Sequence, residues 1–218
     1  MLSTGTRAPY TTIMEDGFLD RAIETLFERL GRMAKVVVYG ASARSLVNAN
    51  TGTDDGLAMR IKGLEAKFPN LIRVPEKLVD NDFVAYSKRK RISVSNWQDL
   101  ARFDVGYILG WQVFERNMPR GAGVTLAKSA PQLVHLLTND RVDVILYERW
   151  QGIWRAKAAG LRVQVHEPPL AKREMFIYLH KKHADLVAPA ARELRRMKAD
   201  GTYRKIFDST LRGQLSGD

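Results

Sequence analysis

The sequence contains no cysteine, which removes a disulfide framework, a thiolate zinc site and a cysteine nucleophile together. It has no run approaching the ~20 apolar residues of a membrane span, so no membrane insertion is expected. A Gly-rich phosphate loop is absent, and no Ser/His/Asp arrangement can be argued for nucleophilic catalysis. His135, His166, His180 and His183 are the only histidines. None shows metal-ligand spacing tied to carboxylates, and His180 and His183 fall in a lysine-rich turn. No metal, no cofactor and no catalytic group is therefore expected. The first residues, Met1 to Tyr10, lack the charged start and apolar stretch of a secretory leader.

Positive charge is plentiful: the formal net charge is +11. It is spread along the chain, and the one dense run is Lys88-Arg89-Lys90-Arg91. Without zinc-finger spacing, RNA-binding aromatics or a basic helix, this reads as a solvated turn, and no nucleic-acid partner is expected. Hydrophobic residues at 45% suffice for a sizeable core. Only the closing stretch, Gln214 to Asp218, reads as a loose tail.

Periodicity places the elements. Phe18, Leu19, Ala22, Ile23, Leu26, Phe27 and Leu30 recur at three and four residues, which predicts a helix opened by Asp16 or Gly17 and closed by Gly31. Lys35 to Tyr39 reads as a buried strand and Ala43 to Asn50 as a helix. Short strands follow at Leu57 to Ile61 and at Leu71 to Val74, the latter stopped by Pro75. Phe83 to Tyr86 is a further strand, then a helix from Ser95 through Leu100, and a strand at Val105 to Leu109. Ser129 is the expected N-cap of a helix holding Leu133 to Leu137. Val142 to Tyr147 is a strand, Trp150 to Ala159 a helix, Leu161 to Val165 a strand and Met175 to Leu179 the last strand. Leu186 to Met197 is a long helix, and a short one includes Tyr203, Ile206 and Phe207. Strands alternating with helices predict an α/β fold of mostly parallel sheets covered on both faces.

Four stretches carry a resemblance. Gly5 to Tyr10 (GTRAPY) looks like a glycine-x-x-proline-aromatic opening loop, and Gly17 to Gly31 like the first helix that follows such a loop. Ala130 to Glu148 (APQLVHLLTNDRVDVILYE) and Asp200 to Ile206 (DGTYRKI) match two further motifs in order. Together they resemble the family 3 extracellular solute-binding proteins, the amino-acid-type receptors of bacterial ABC importers. The resemblance implies a two-lobed, periplasmic-binding-protein-like (type II) fold with two crossing strands as hinge. Residues 1–84 and 173–218 would form the first lobe and 85–172 the second. It implies a periplasmic monomer that carries a small polar, amino-acid-like ligand to the importer's membrane subunits and is not an enzyme. Relatives on the same fold include dehydratases and peptidoglycan-cleaving enzymes, for which Glu148 or Glu76 would be the acid, and solute sensors for a signalling partner. Family members begin with a full strand; here only Leu2, Ser3 and Thr4 precede Gly5, so a stunted first strand is expected at the sheet edge of the first lobe.

The resemblance also assigns site residues. Arg60 is the expected carboxylate anchor, because a guanidinium fork makes two parallel hydrogen bonds; the alternative is a surface arginine paired with Asp55. Arg44, near the start of a helix, is the second basic candidate, or else a solvated helix residue. Glu148, five positions after Asp143, is the ammonium partner, or else a rim carboxylate paired with Arg149. Tyr10 is expected to stack on the ligand. Gly110 and Trp111 stand at the turn after a strand, where backbone N–H groups suit a carboxylate; Trp111 reads equally as core packing. Trp97, Trp150 and Trp154 read as packing.

Overall fold

The computed structural model describes residues 1–215. In chain order its elements are β1 (Leu2–Thr4), α1 (Phe18–Glu28), β2 (Val36–Val38), α2 (Ser42–Thr51), β3 (Gly56–Ile61), β4 (Leu71–Ser87), β5 (Asp104–Ile108), α3 (Gln112–Glu115), β6 (Gly123–Ala127), α4 (Ala130–Thr138), β7 (Val144–Glu148), α5 (Arg149–Ala158), β8 (Gln164–Val165), β9 (Ala171–His180), α6 (Ala184–Ala199) and α7 (Thr202–Thr210). The chain divides into two compact units, Met1–Asp80 with Arg173 onward, and Asn81–Lys172. Strands β4 and β9 carry the chain from one unit to the other.

In the first unit the strand order is β2-β1-β3-β9-β4. β1 pairs in parallel with β2 and with β3, whereas β3 and β9 are antiparallel. The three-residue β1 is therefore central rather than at an edge, and all three of its residues are buried. The Ser3 and Ser45 hydroxyls pair at 3.0 Å beneath α2, which keeps this polar step in the core satisfied. Two expectations are corrected here. β2 is the edge strand, so its valines are half-buried, with Val38 36% exposed, and not buried as their composition suggested. Pro75 does not stop its strand: β4 runs through it. At Pro75, β4 is the outer strand of this unit's sheet, and a missing N–H is tolerated where no neighbour needs it.

α1 buries Phe18, Leu19, Ala22, Ile23, Leu26 and Phe27 along one face, as its spacing predicts. Its first turn is fixed by Asp20, whose carboxylate accepts the Gly17 and Thr12 N–H groups at 3.0 Å. A side chain at position 17 would run into the Tyr10 and Pro9 carbonyls, so glycine there lets the opening loop lie against the helix start. At its other end Arg29 donates to Asp200 and to Thr202 Oγ1 (2.7 Å). Arg29 and Thr202 together hold the Asp200 carboxyl down at about 2. Gly201 adopts φ +84° between α6 and α7. The Asp200-Gly201-Thr202 motif is thus the joint that ties the last two helices to α1.

In the second unit β7 and β6 flank β5 in parallel, and β4 closes the sheet antiparallel to β7, with β8 also on β4. The helix expected from Ser95 is a single 3-10 segment, Trp97–Arg102, capped by Asn96 and Asp99. The strand expected over Leu161 to Val165 is reduced to β8. Ser129 caps α4 through Gln132 N–H (3.4 Å), with Pro131 in the first turn. Phe114, Leu100, Val105, Val144 and Leu146 form the core beneath one sheet face.

His166 pins three segments of this unit. Its Nδ1 accepts the Val94 N–H (3.3 Å), so Nε2 carries the proton towards Ser87 Oγ (2.9 Å), and Ser87 donates onward to the Arg89 carbonyl (3.3 Å). Burial pushes the imidazole below its ordinary range, and only the neutral ring satisfies this chain. The unfolded chain takes up a proton near pH 6.5 while the folded one resists it. The stability contributed is therefore full above about pH 6.5 and declines as pH falls towards the depressed folded value. Urea midpoints measured between pH 8 and pH 5 should fall more steeply for the native protein than for His166→Gln; parallel curves would remove His166 as the cause.

Candidate functional site

The C-terminal ends of parallel strands are where α/β sheets present their ligand groups. In the first unit that end holds Gly5 after β1, the start of α2 after β2, and Arg60 on β3. Arg60 is the one electrostatically incomplete group of this set. Its Nη2 donates to the Ser42 carbonyl at 3.2 Å, and its Nε is shielded from solvent without a hydrogen-bond partner. Burial lowers its pKa from the usual arginine value, which leaves a charged fork that is poorly hydrated. The alternative reading fails on geometry: Asp55 is bound instead by Lys182 (2.8 Å) and His183 (2.7 Å). Among the described residues no acidic side chain pairs with this arginine.

The start of α2 adds to this. Its N-cap is Ala41, which offers no side-chain acceptor; the Arg44 N–H turns to the Ala41 carbonyl (3.1 Å), and no side chain caps the N–H groups of Ser42 and Ala43. A side chain at Gly5 would collide with Ser42, so Gly5 and Ser42 together keep the strand end and helix start in contact. Ser42 was not singled out from sequence; the small run Gly40-Ala41-Ser42 after a strand was the available signal.

The other candidates of this unit lie elsewhere. Arg44 is exposed in the first turn of α2, with its guanidinium over the Tyr39 ring at 5.4 Å rather than bonded to Arg60's surroundings. Tyr10 is fully buried, edge-on to Phe18 with centroids 6.2 Å apart, so its ring has no face open to a ligand as it stands.

In the second unit Gly110, Trp111 and Glu148 gather at the ends of the parallel neighbours β5 and β7. Trp111 stacks on Phe114 (5.6 Å, 6°) and packs on Tyr147 (4.9 Å) and Phe83 (5.9 Å), which makes it a lid on the core. Gly110 takes φ +86°, and its N–H donates to Glu115 at 2.8 Å. Glu148 is 1% exposed and caps α5, accepting from Trp150 N–H (3.2 Å) and Gln151 N–H (2.9 Å). Arg149 does not pair with it; that arginine binds Asp82 (3.2 Å) and Glu167.

Among solved structures, the GluR0 ligand-binding core in complex with L-glutamate is similar to this chain, with a TM-score of 0.77 at 12% identity, over 96% of this chain and 97% of that one. The ancestral cationic amino acid solute-binding protein AncCDT-1 gives 0.77 at 17% identity, over 96% and 93%. This chain has the fold of the two-lobed solute-binding proteins. A histidine kinase sensor domain with similarity to periplasmic binding proteins shares it, at 0.71 and 15% identity over 96% and 93%. No protein-family model matches the sequence. An uncharacterized protein of Shewanella oneidensis is 25% identical over 178 residues, covering 75% of this chain and 64% of that relative. The chain thus spans less than two thirds of that relative's length.

Proposed function

We propose that the chain is a solute-binding protein that captures a small polar, amino-acid-like ligand by its carboxylate at Arg60, on behalf of an ABC importer on the extracytoplasmic side of a membrane. The carrying observation is the Arg60 guanidinium: charged, half-buried, with an unpartnered Nε, at strand ends beside an uncapped helix start. A carboxylate there would gain a charge-assisted fork and the α2 N–H groups together. The fold neighbours support an amino acid as the ligand class, since one is a complex with L-glutamate and another is a cationic amino acid solute-binding protein. Binding without turnover fits the two carboxylates that could have served as acids. Glu148 is engaged as a helix cap, and Glu76 is paired with Lys198 and Arg195. A sensor role for the same binding chemistry is the second reading, favoured by the histidine kinase neighbour.

Calorimetric titration with L-amino acids and their carboxamides tests the proposal. Amino acids should bind and the amides should not, and chromatography after prolonged incubation should return the ligand unchanged. Equal affinity for acids and amides would overturn the carboxylate anchor, and conversion at ~1 s⁻¹ or faster would make the chain an enzyme.

A further inference from the structure

On the second unit, α4 and α5 enclose a groove of about 360 Å³ that owes nothing to Arg60. Pro131, Val134, His135 and Thr138 line it from α4; Trp154 and Arg155 line it from α5. The core stripe of α5 is Trp150, Ile153 and Ala156. Trp154 stands off that stripe and remains half-buried, so its ring is not spent on the core. Arg155 is the second departure from ordinary packing. Its Nε is shielded from solvent and has no hydrogen-bond partner, and its guanidinium lies 5.7 Å from the Trp154 ring centre. Its polar neighbour is the Tyr147 phenol, a neutral group, and no Asp or Glu lines the groove. A guanidinium with a shielded Nε, bonded to a phenol and with no carboxylate in the groove, favours an anion. Pro131, Val134, Ala158 and Ala159 supply apolar wall beside the polar His135 and Thr138, and the half-buried indole of Trp154 offers a surface on which a flat ring can pack.

We infer that this groove is a second binding site, for a small aromatic carboxylate whose ring packs on Trp154 and whose carboxylate meets Arg155. Its volume falls at the lower end of small-molecule pockets, which limits the occupant to about one ring with a short acidic arm. The inference is independent of the Arg60 assignment, because the two sites lie in different units of the chain.

Phenylacetate and its neutral isostere phenylacetamide are the probes, read by calorimetry and by tryptophan fluorescence. Phenylacetate should bind, and the amide should bind ~10-fold or more weakly, at about 1.4 kcal/mol per tenfold. Measured on the Arg60→Ala background, so that the carboxylate anchor of the first unit does not contribute, Trp154→Ala and Arg155→Gln should each cost phenylacetate a similar factor, and Arg155→Lys should recover part of it. Circular dichroism checks that each variant is folded; should Arg155→Gln fail that check, the acid–amide pair and Trp154→Ala still decide. The site is overturned by equal affinity for acid and amide, by unaltered binding in Trp154→Ala, or by no binding at millimolar probe. Loss of binding in Arg60→Ala alone would likewise overturn it, by assigning the probe to the first unit.

Discussion

Arg60→Ala is expected to weaken binding of a carboxylate ligand by ~100-fold or more while leaving the empty protein as stable as before. The two halves of this result have separate causes. Removing the guanidinium strands a desolvated ligand carboxylate, which costs roughly 2–5 kcal/mol, and about 2.7 kcal/mol already corresponds to a hundredfold. In the empty protein, Arg60 makes one hydrogen bond, to the Ser42 carbonyl, and leaves its Nε unpaired. Deleting it loses little and removes an unsatisfied donor, so the melting temperature should hold or rise slightly. Arg60→Lys should recover only part of the affinity, because an ammonium has no planar fork. Calorimetry and thermal melts on the same preparations check both halves. Native affinity in Arg60→Ala would discard this anchor, and a large fall in melting temperature would make the arginine a structural tie.

Glu148→Ala is expected to do the reverse, with its main cost in stability. The carboxylate is 1% exposed and takes two backbone N–H groups at the start of α5. Losing such a cap costs about 1–2 kcal/mol. At roughly 2–4 °C per kcal/mol for a chain of this size, the melting temperature should fall by about 2–8 °C. Glu148→Gln keeps an acceptor oxygen and should lose less. An unchanged melting temperature in Glu148→Ala would show that the α5 N–H groups find other acceptors at no cost.

This contrast marks where sequence reasoning ran out. Arg60 was singled out through the resemblance, by its place after Asp54-Asp55-Gly56, although the residues Leu57, Ala58 and Met59 before it carried no signal of it. Glu148 was assigned as the ammonium partner by its spacing from Asp143, with a rim carboxylate paired with Arg149 as the alternative. Glutamate is not among the strongly preferred N-caps, so nothing local announced that it would close a helix. Tyr10 misled for a different reason. Its position after Pro9 suggests a loop aromatic, but the loop folds onto α1, with the Phe18 and Leu19 N–H groups bonded to the Pro9 and Tyr10 carbonyls, and the ring is drawn into the core. Helices α1, α4 and α6 were legible because each has a continuous apolar face. β6 was not read at all: it is an edge strand with Val124 and Leu126 nearly half exposed, so it shows neither a buried run nor clean alternation. The length of β4 was hidden by Pro75, whose usual role as a stop is suspended on an outer strand.

The insertion of residues 81–172 within the first unit sets an order on the birth of the protein. On a ribosome, or emerging from a translocation pore, the second unit is complete in sequence once Lys172 has appeared. The first unit is not, although its first 80 residues came earlier. β3 must wait for β9, whose Leu179 pairs with Gly56, and α1 must wait for Asp200 and Thr202 to meet Arg29. Until then the β9 edge of β3 and the part of α1 that meets α6 and α7 stay uncovered while well over a hundred residues are added, on the order of 10 s or more at ordinary elongation rates. The half made first is finished last, and it is the half that needs guarding while it waits.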